Sequence, residues 1–64
     1  MSVDRVSPDE YARLARSGYA GPKETLLPQT REQWAGREPY SHWVMRPGRR
    51  GPELAPVLID GEKG

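Results

Sequence analysis

The densest chemistry in the chain lies in Tyr40-Ser41-His42-Trp43-Val44-Met45-Arg46-Pro47-Gly48-Arg49-Arg50-Gly51. Guanidinium forks grip phosphates in bidentate fashion, and aromatic rings stack on unpaired bases. Arg46, Arg49 and Arg50 are therefore the candidate nucleic-acid contacts, at a loop whose glycines let a ligand approach the backbone. Three arginines neutralise few phosphates, and the whole chain carries a net charge of only +1. An acidic protein partner and a plain solvated turn compete for the same residues.

Trp34, Tyr40, Trp43 and Leu58 are the candidate protein contacts. Tryptophan and tyrosine dominate interface hot spots, but they also bury the most area per residue in a small core. A chain of 64 residues can hardly enclose all five of its aromatic side chains. At least one is expected to stay partly exposed.

No catalytic residue is assigned. Ser41 and His42 are adjacent, and neighbours on a strand point to opposite faces, so they are not expected to act as nucleophile and base. A simple hairpin register places Tyr40 opposite Asp60, a polar cross-strand pair and not an acid–base dyad. Only the helix-capping Asp9 and Glu10 pair two carboxylates on one helix. A chain this short also offers little concave surface from which to exclude water. With no cysteine and a single histidine, disulfides, thiolate metal sites and the usual zinc ligand sets are excluded. No cofactor is expected.

The elements that must position these residues are announced by punctuation. Ser7 is placed to accept the free amides of a helix, and Glu10 follows at capping-box spacing. Pro8 suits the first helical position, Asp9 and Glu10 suit its positive end, and Val6 with Tyr11 fits a hydrophobic staple. Arg13 and Arg16 fall near the C-terminus, and Gly18 is placed to end it. A helix over 8–17 is predicted, with Tyr11, Leu14 and Ala15 as its apolar face. From Gly18 to Gln29 two prolines discourage regular structure, and Tyr19, Leu26 and Leu27 are expected to tuck onto the core from an extended segment. Thr30 begins a second capping-box spacing, Thr30-Arg31-Glu32-Gln33, ahead of a short helix that must end before Pro39.

Past Pro39 the pattern changes to strand formers, at Ser41–Arg46 and again at Leu54–Ile59. The loop between them, Pro47 to Glu53, reverses the chain into an antiparallel hairpin. Two strands alone are marginal, so a third layer is needed, either the helix or a short strand around Val3. Pro56 lacks a ladder donor, which reads as an edge strand. That edge is a candidate for pairing with another molecule, including a second copy as a homodimer. Residues 1–5 and 61–64 read as tails.

Composition bounds the rest. Leu, Ile and Val number ten, and Phe is absent. That share is under the roughly 20% associated with disorder, although disorder also calls for high net charge. Residues 37–50 hold a net +3, while residues 51–64 hold −2. No apolar leader and no run near the roughly 20 apolar residues of a membrane span is visible, so no membrane role is expected. The lack of a disulfide staple leans towards a cytoplasmic protein. Eight arginines against two lysines suit a GC-rich genome, and short chains of this kind are common phage or mobile-element products.

These observations predict one small α+β domain: a capped N-terminal helix, a short second helix and a C-terminal antiparallel β-hairpin. The leading expectation is a non-catalytic module that binds a larger protein as inhibitor, adaptor or accessory subunit. A small nucleic-acid-binding protein using residues 46–50 is the alternative. A minor structural subunit of a virion or large complex is the third.

Overall fold

The computed structural model describes residues 3–61, and the α+β class expected from the sequence is what it contains. Four strands form one mixed sheet: β1 (Asp4–Val6), β2 (Ala20–Pro22), β3 (His42–Gly48) and β4 (Gly51–Ile59), in the spatial order β1-β4-β3-β2. β1 runs parallel to β4, and the other two pairings are antiparallel. The third strand looked for near Val3 is thus real, and it takes in Asp4 and Arg5, which the sequence assigned to a tail. The tail residues 1–2 and 62–64 lie outside the described residues.

The first helix, α1 (Pro8–Arg16), forms for the reasons its sequence announces. The Glu10 amide donates to Ser7 Oγ at 3.1 Å, Pro8 opens the helix, and Asp9 and Glu10 fill its first turn. Its end is a Schellman motif. The Gly18 amide donates to the Ala15 carbonyl and the Tyr19 amide to the Leu14 carbonyl, with Gly18 at φ +81°. A side chain at Gly18 would force that backbone into a conformation L-residues rarely adopt.

The sheet buries both faces. Successive strand residues point to opposite sides, so Val44 and Trp43 serve different cores. On one side Tyr11, Leu14 and Ala15 of α1 pack on Val6, Ala20, Val44 and Val57, of which Val44 is 1% exposed and Val57 0%. On the other, Leu26, Trp34 and Tyr40 pack with Val3, Trp43 and Leu54. The second helix, α2 (Pro28–Gln33), and the single helical turns Lys23–Thr25 and Ala35–Arg37 supply that second layer. Trp34 and Tyr40 meet edge to face, with ring centroids 5.4 Å apart and planes at 84°.

Several sequence expectations are corrected here. Residues 18–29 are not a featureless extended stretch, because Ala20–Pro22 adds to the sheet as β2. Of the three side chains expected to tuck inward, only Leu26 does; Tyr19 is 52% exposed and Leu27 69%. α2 starts at Pro28 and not at Thr30, since proline is already set for the first helical position. Thr30 lies inside the helix, its carbonyl accepting the Trp34 amide at 3.0 Å. Leu27→Ser should therefore leave the thermal midpoint within a few degrees of the parent, because surface changes rarely exceed about 0.5 kcal/mol. A large drop in a circular dichroism melt would contradict that placement.

The hairpin is tighter than the loop of 47–53 expected for it. β3 and β4 pair as far as Gly48 with Gly51, leaving Arg49 and Arg50 as a two-residue turn. β4 is an edge only as far as Pro56, because β1 covers its outer side from Val57 to Ile59. A homodimer through a free C-terminal edge strand is accordingly ruled out over that stretch.

The prolines explain what remains open. The Met45 amide donates to the Tyr19 carbonyl at 2.8 Å, away from β4. Pairs in an antiparallel ladder alternate between bonded and non-bonded, so Trp43, Met45 and Pro47 are non-bonded towards β4. Their partners are Pro56, Leu54 and Pro52. Each proline thus occupies a position whose amide would point outward, costing the hairpin nothing and removing a donor from its edges. Pro56 thus sits on the open side of β4, one residue short of the stretch that β1 covers.

Candidate functional site

The β3–β4 hairpin outruns its neighbours. β2 pairs β3 only along His42 to Val44, and β1 pairs β4 only from Val57 onward. Beyond these limits the two strands project as an arm tipped by Arg49 and Arg50, both exposed. Tyr19 flanks the base of the arm. With Met45, Arg46, Pro47, Gly48, Gly51 and Pro52 it lines a groove of about 320 Å³. A second concavity of about 440 Å³ lies at the tip, between Arg49, Arg50, Gly51, Pro52 and Glu53.

The three candidate arginines are not equivalent. Arg46 Nη1 donates to Asp4 Oδ2 at 2.6 Å, tying the arm back to β1 across β4. The pair is solvent-exposed, so it contributes no more than about 1 kcal/mol. Its consequence is electrostatic, because Asp4 already neutralises Arg46. Arg49 and Arg50 are left as the cationic tip, with Glu53 sharing their concavity.

Of the candidate protein contacts, Trp34 (6% exposed), Tyr40 (5%) and Leu58 are buried within the chain itself. Tyr40 does not face Asp60. It sits against Trp34, with the Lys23 ammonium 5.5 Å from its ring centroid, while the Asp60 amide donates to the Val6 carbonyl. Trp43 is half-buried, and its Nε1 donates to Thr25 Oγ1 at 2.9 Å. Thr25 Oγ1 in turn donates to the Pro22 carbonyl at 2.7 Å. The Trp43 indole lies so close to Gly21 that a Cβ there would come within 2.9 Å of the ring. Glycine at position 21 is what lets the indole lie flat on β2.

The structure also corrects the reading of Ser41 and His42. Ser41 Oγ and His42 Nδ1 are 2.7 Å apart, a hydrogen bond between side chains expected to diverge. Val57 is the register partner of His42, yet its carbonyl also accepts the Ser41 amide at 3.1 Å. Two residues facing one is a bulge, and a bulge re-aims the side chains it carries. The Tyr11 ring meets His42 edge-on at 4.7 Å. Neither groove of the arm reaches this pair, which packs under α1. Among the described residues no cluster of three or more His, Cys, Asp or Glu is placed to hold a metal ion.

What sequence reasoning missed is Tyr19. It follows a helix-ending glycine, as buried residues after a Schellman motif often do. Its place beside the arm is set by the Met45 amide bonding to its carbonyl, a contact 26 residues away that no local signal encodes.

Compared with protein-family models, with curated protein sequences and with solved structures, the chain matches none. No helix among the described residues is long and apolar enough to cross a membrane.

Proposed function

We propose that this chain is a non-catalytic protein-binding module, an inhibitor, adaptor or accessory subunit of a larger protein, and that the β3–β4 arm is its contact element. The observation that carries this reading is the groove beside Tyr19. It is an apolar concavity on a projecting, proline-stiffened hairpin, whose shape needs little ordering when a partner arrives. The aromatics first credited with partner binding hold the core, which leaves Tyr19 as the exposed aromatic anchor beside the arm.

Photo-crosslinking tests it. A benzophenone amino acid is placed at the exposed Glu53 on the arm, or at Ala12 on the outer side of α1, in the full chain within its native cells. One protein adduct of constant mass is expected from position 53 and none from position 12, with excess parent chain suppressing it. Equal adducts from both positions, or nucleic acid as the crosslinked species, would overturn the reading. Nucleic-acid contact through Arg49 and Arg50 is the second reading. Two exposed guanidiniums beside Glu53 favour it less, because phosphate binding scales with the number of charges neutralised.

A further inference from the structure

We infer that the groove beside Tyr19 receives an extended, acidic peptide segment of the partner, with an apolar side chain seated on Met45, Pro47 and Pro52 and carboxylates at Arg49 and Arg50. This rests on the protein-binding reading and adds the chemistry of what is bound. The first ground is the mode of contact. Peptides commonly bind sheets by adding a strand, which needs a row of free backbone amides. On the arm those outward positions fall to Pro47, Pro52 and Pro56, with Met45 already bonded to Tyr19 and only Leu54 offering an amide. Strand addition is thereby disfavoured on both edges, and recognition falls to side chains in the groove.

The second ground is size and lining. About 320 Å³ is at the lower end for ligand pockets and suits one or two side chains, not a folded surface. Its floor carries Met45, whose flexible thioether adapts to varied apolar groups, and Gly48 and Gly51, which let a backbone lie close. The third ground is charge. Arg49 and Arg50 form the turn between Gly48 and Gly51, both of which line the groove, and the concavity the two arginines share with Glu53 adjoins it through Gly51 and Pro52. Arginine matches carboxylates in bidentate fashion. A nucleic-acid strand fits less well, since Tyr19 offers one stacking ring and the Trp43 indole is fixed on Gly21 and Thr25.

The test is an amide NMR titration of the full chain with a peptide alternating aspartate and leucine. Control peptides carry lysine for aspartate or serine for leucine, and a short single-stranded DNA is titrated separately. Saturable shifts at Tyr19, Met45, Gly48 and Gly51 are expected with the acidic apolar peptide alone. Arg49→Ala/Arg50→Ala should weaken it by about tenfold, since two solvent-exposed ion pairs contribute no more than about 1 kcal/mol each. Tyr19→Ala should weaken it with little change in salt dependence, and both variants should keep the parent's amide dispersion because the altered side chains are exposed.

Equal binding of the lysine peptide, shifts away from the arm, no saturable shift at millimolar peptide, or preference for the DNA would each overturn the inference. If crosslinks still form from position 53 while the peptide fails, only the acidic chemistry falls. If those crosslinks are also absent, the protein-binding reading falls with it.

Discussion

Trp34→Ala is expected to abolish the cooperative thermal transition of this chain. Trp34 is 6% exposed in a cluster with Leu26 and Tyr40, on which Val3, Trp43 and Leu54 pack, and it is the largest buried side chain of that layer. Truncating a buried tryptophan costs about 3–5 kcal/mol. A single core in a chain of this size rarely supplies more than about 3–5 kcal/mol in total. The loss therefore matches the whole margin. Trp34→Phe keeps an edge-to-face partner for Tyr40 and should retain a transition at lower temperature. A circular dichroism melt separates the cases. An unchanged midpoint in Trp34→Ala would mean the indole is an outward anchor after all, as interface statistics alone suggest.

Val57→Asp should be as damaging from the opposite face. Val57 is fully enclosed between β1, β3 and α1, with Asp4 and His42 as its register partners. A carboxylate there loses its hydration and gains no cation, so at neutral pH the folded state is expected to vanish. Burial raises such a carboxyl's pKa, so the folded state tolerates it better when neutral. Stability should then return in part as the pH falls through that raised value, which a melt series from neutral to mildly acid pH would reveal. Full stability at pH 7 would show that the α1 face is loosely packed. Together the two variants test whether each side of the sheet is indispensable.

The parts of the fold legible in the sequence are those governed by short-range chemistry. Ser7, Pro8, Glu10 and Gly18 act within one turn of the backbone, and α1 begins and ends almost where they place it. The hairpin was legible for the same reason, through two runs of strand formers around a Pro-Gly-rich reversal. Strand order was not. Pro56 argues for an edge on local grounds and does lie on one, but nothing local shows that β1 closes that edge from Val57 onward. β2 escaped notice because Ala20-Gly21-Pro22 has no strand propensity; it is held by pairing with β3, its own side chains adding only the buried Ala20 methyl to the core.

The candidate site divides in the same way. The tip arginines are where the sequence puts them, but the Arg46 to Asp4 pair joins residues 42 positions apart and could not be read locally. Ser41 and His42 were separated by strand alternation, a rule the bulge at Val57 suspends. The aromatics were weighed correctly as a group, since one of them does remain exposed. Which one depended on where the second layer settles.

That partition is the central claim: Trp34 and Tyr40 hold the interior of a chain that folds alone, and the arm is left to face outward. An amide and side-chain NMR spectrum of the isolated chain, with and without short DNA and RNA at low salt, tests it most directly. Well-dispersed amides, nuclear Overhauser contacts between the Trp34 and Tyr40 rings, slow exchange at Val44 and fast exchange at Arg49 and Arg50 are expected, with no response to nucleic acid. A collapsed spectrum, or Trp34 and Tyr40 rings free in solvent, would contradict the claim and favour a chain that orders only on assembly. Shifts confined to Arg46 through Gly51 on adding nucleic acid would instead transfer the arm to the nucleic-acid reading.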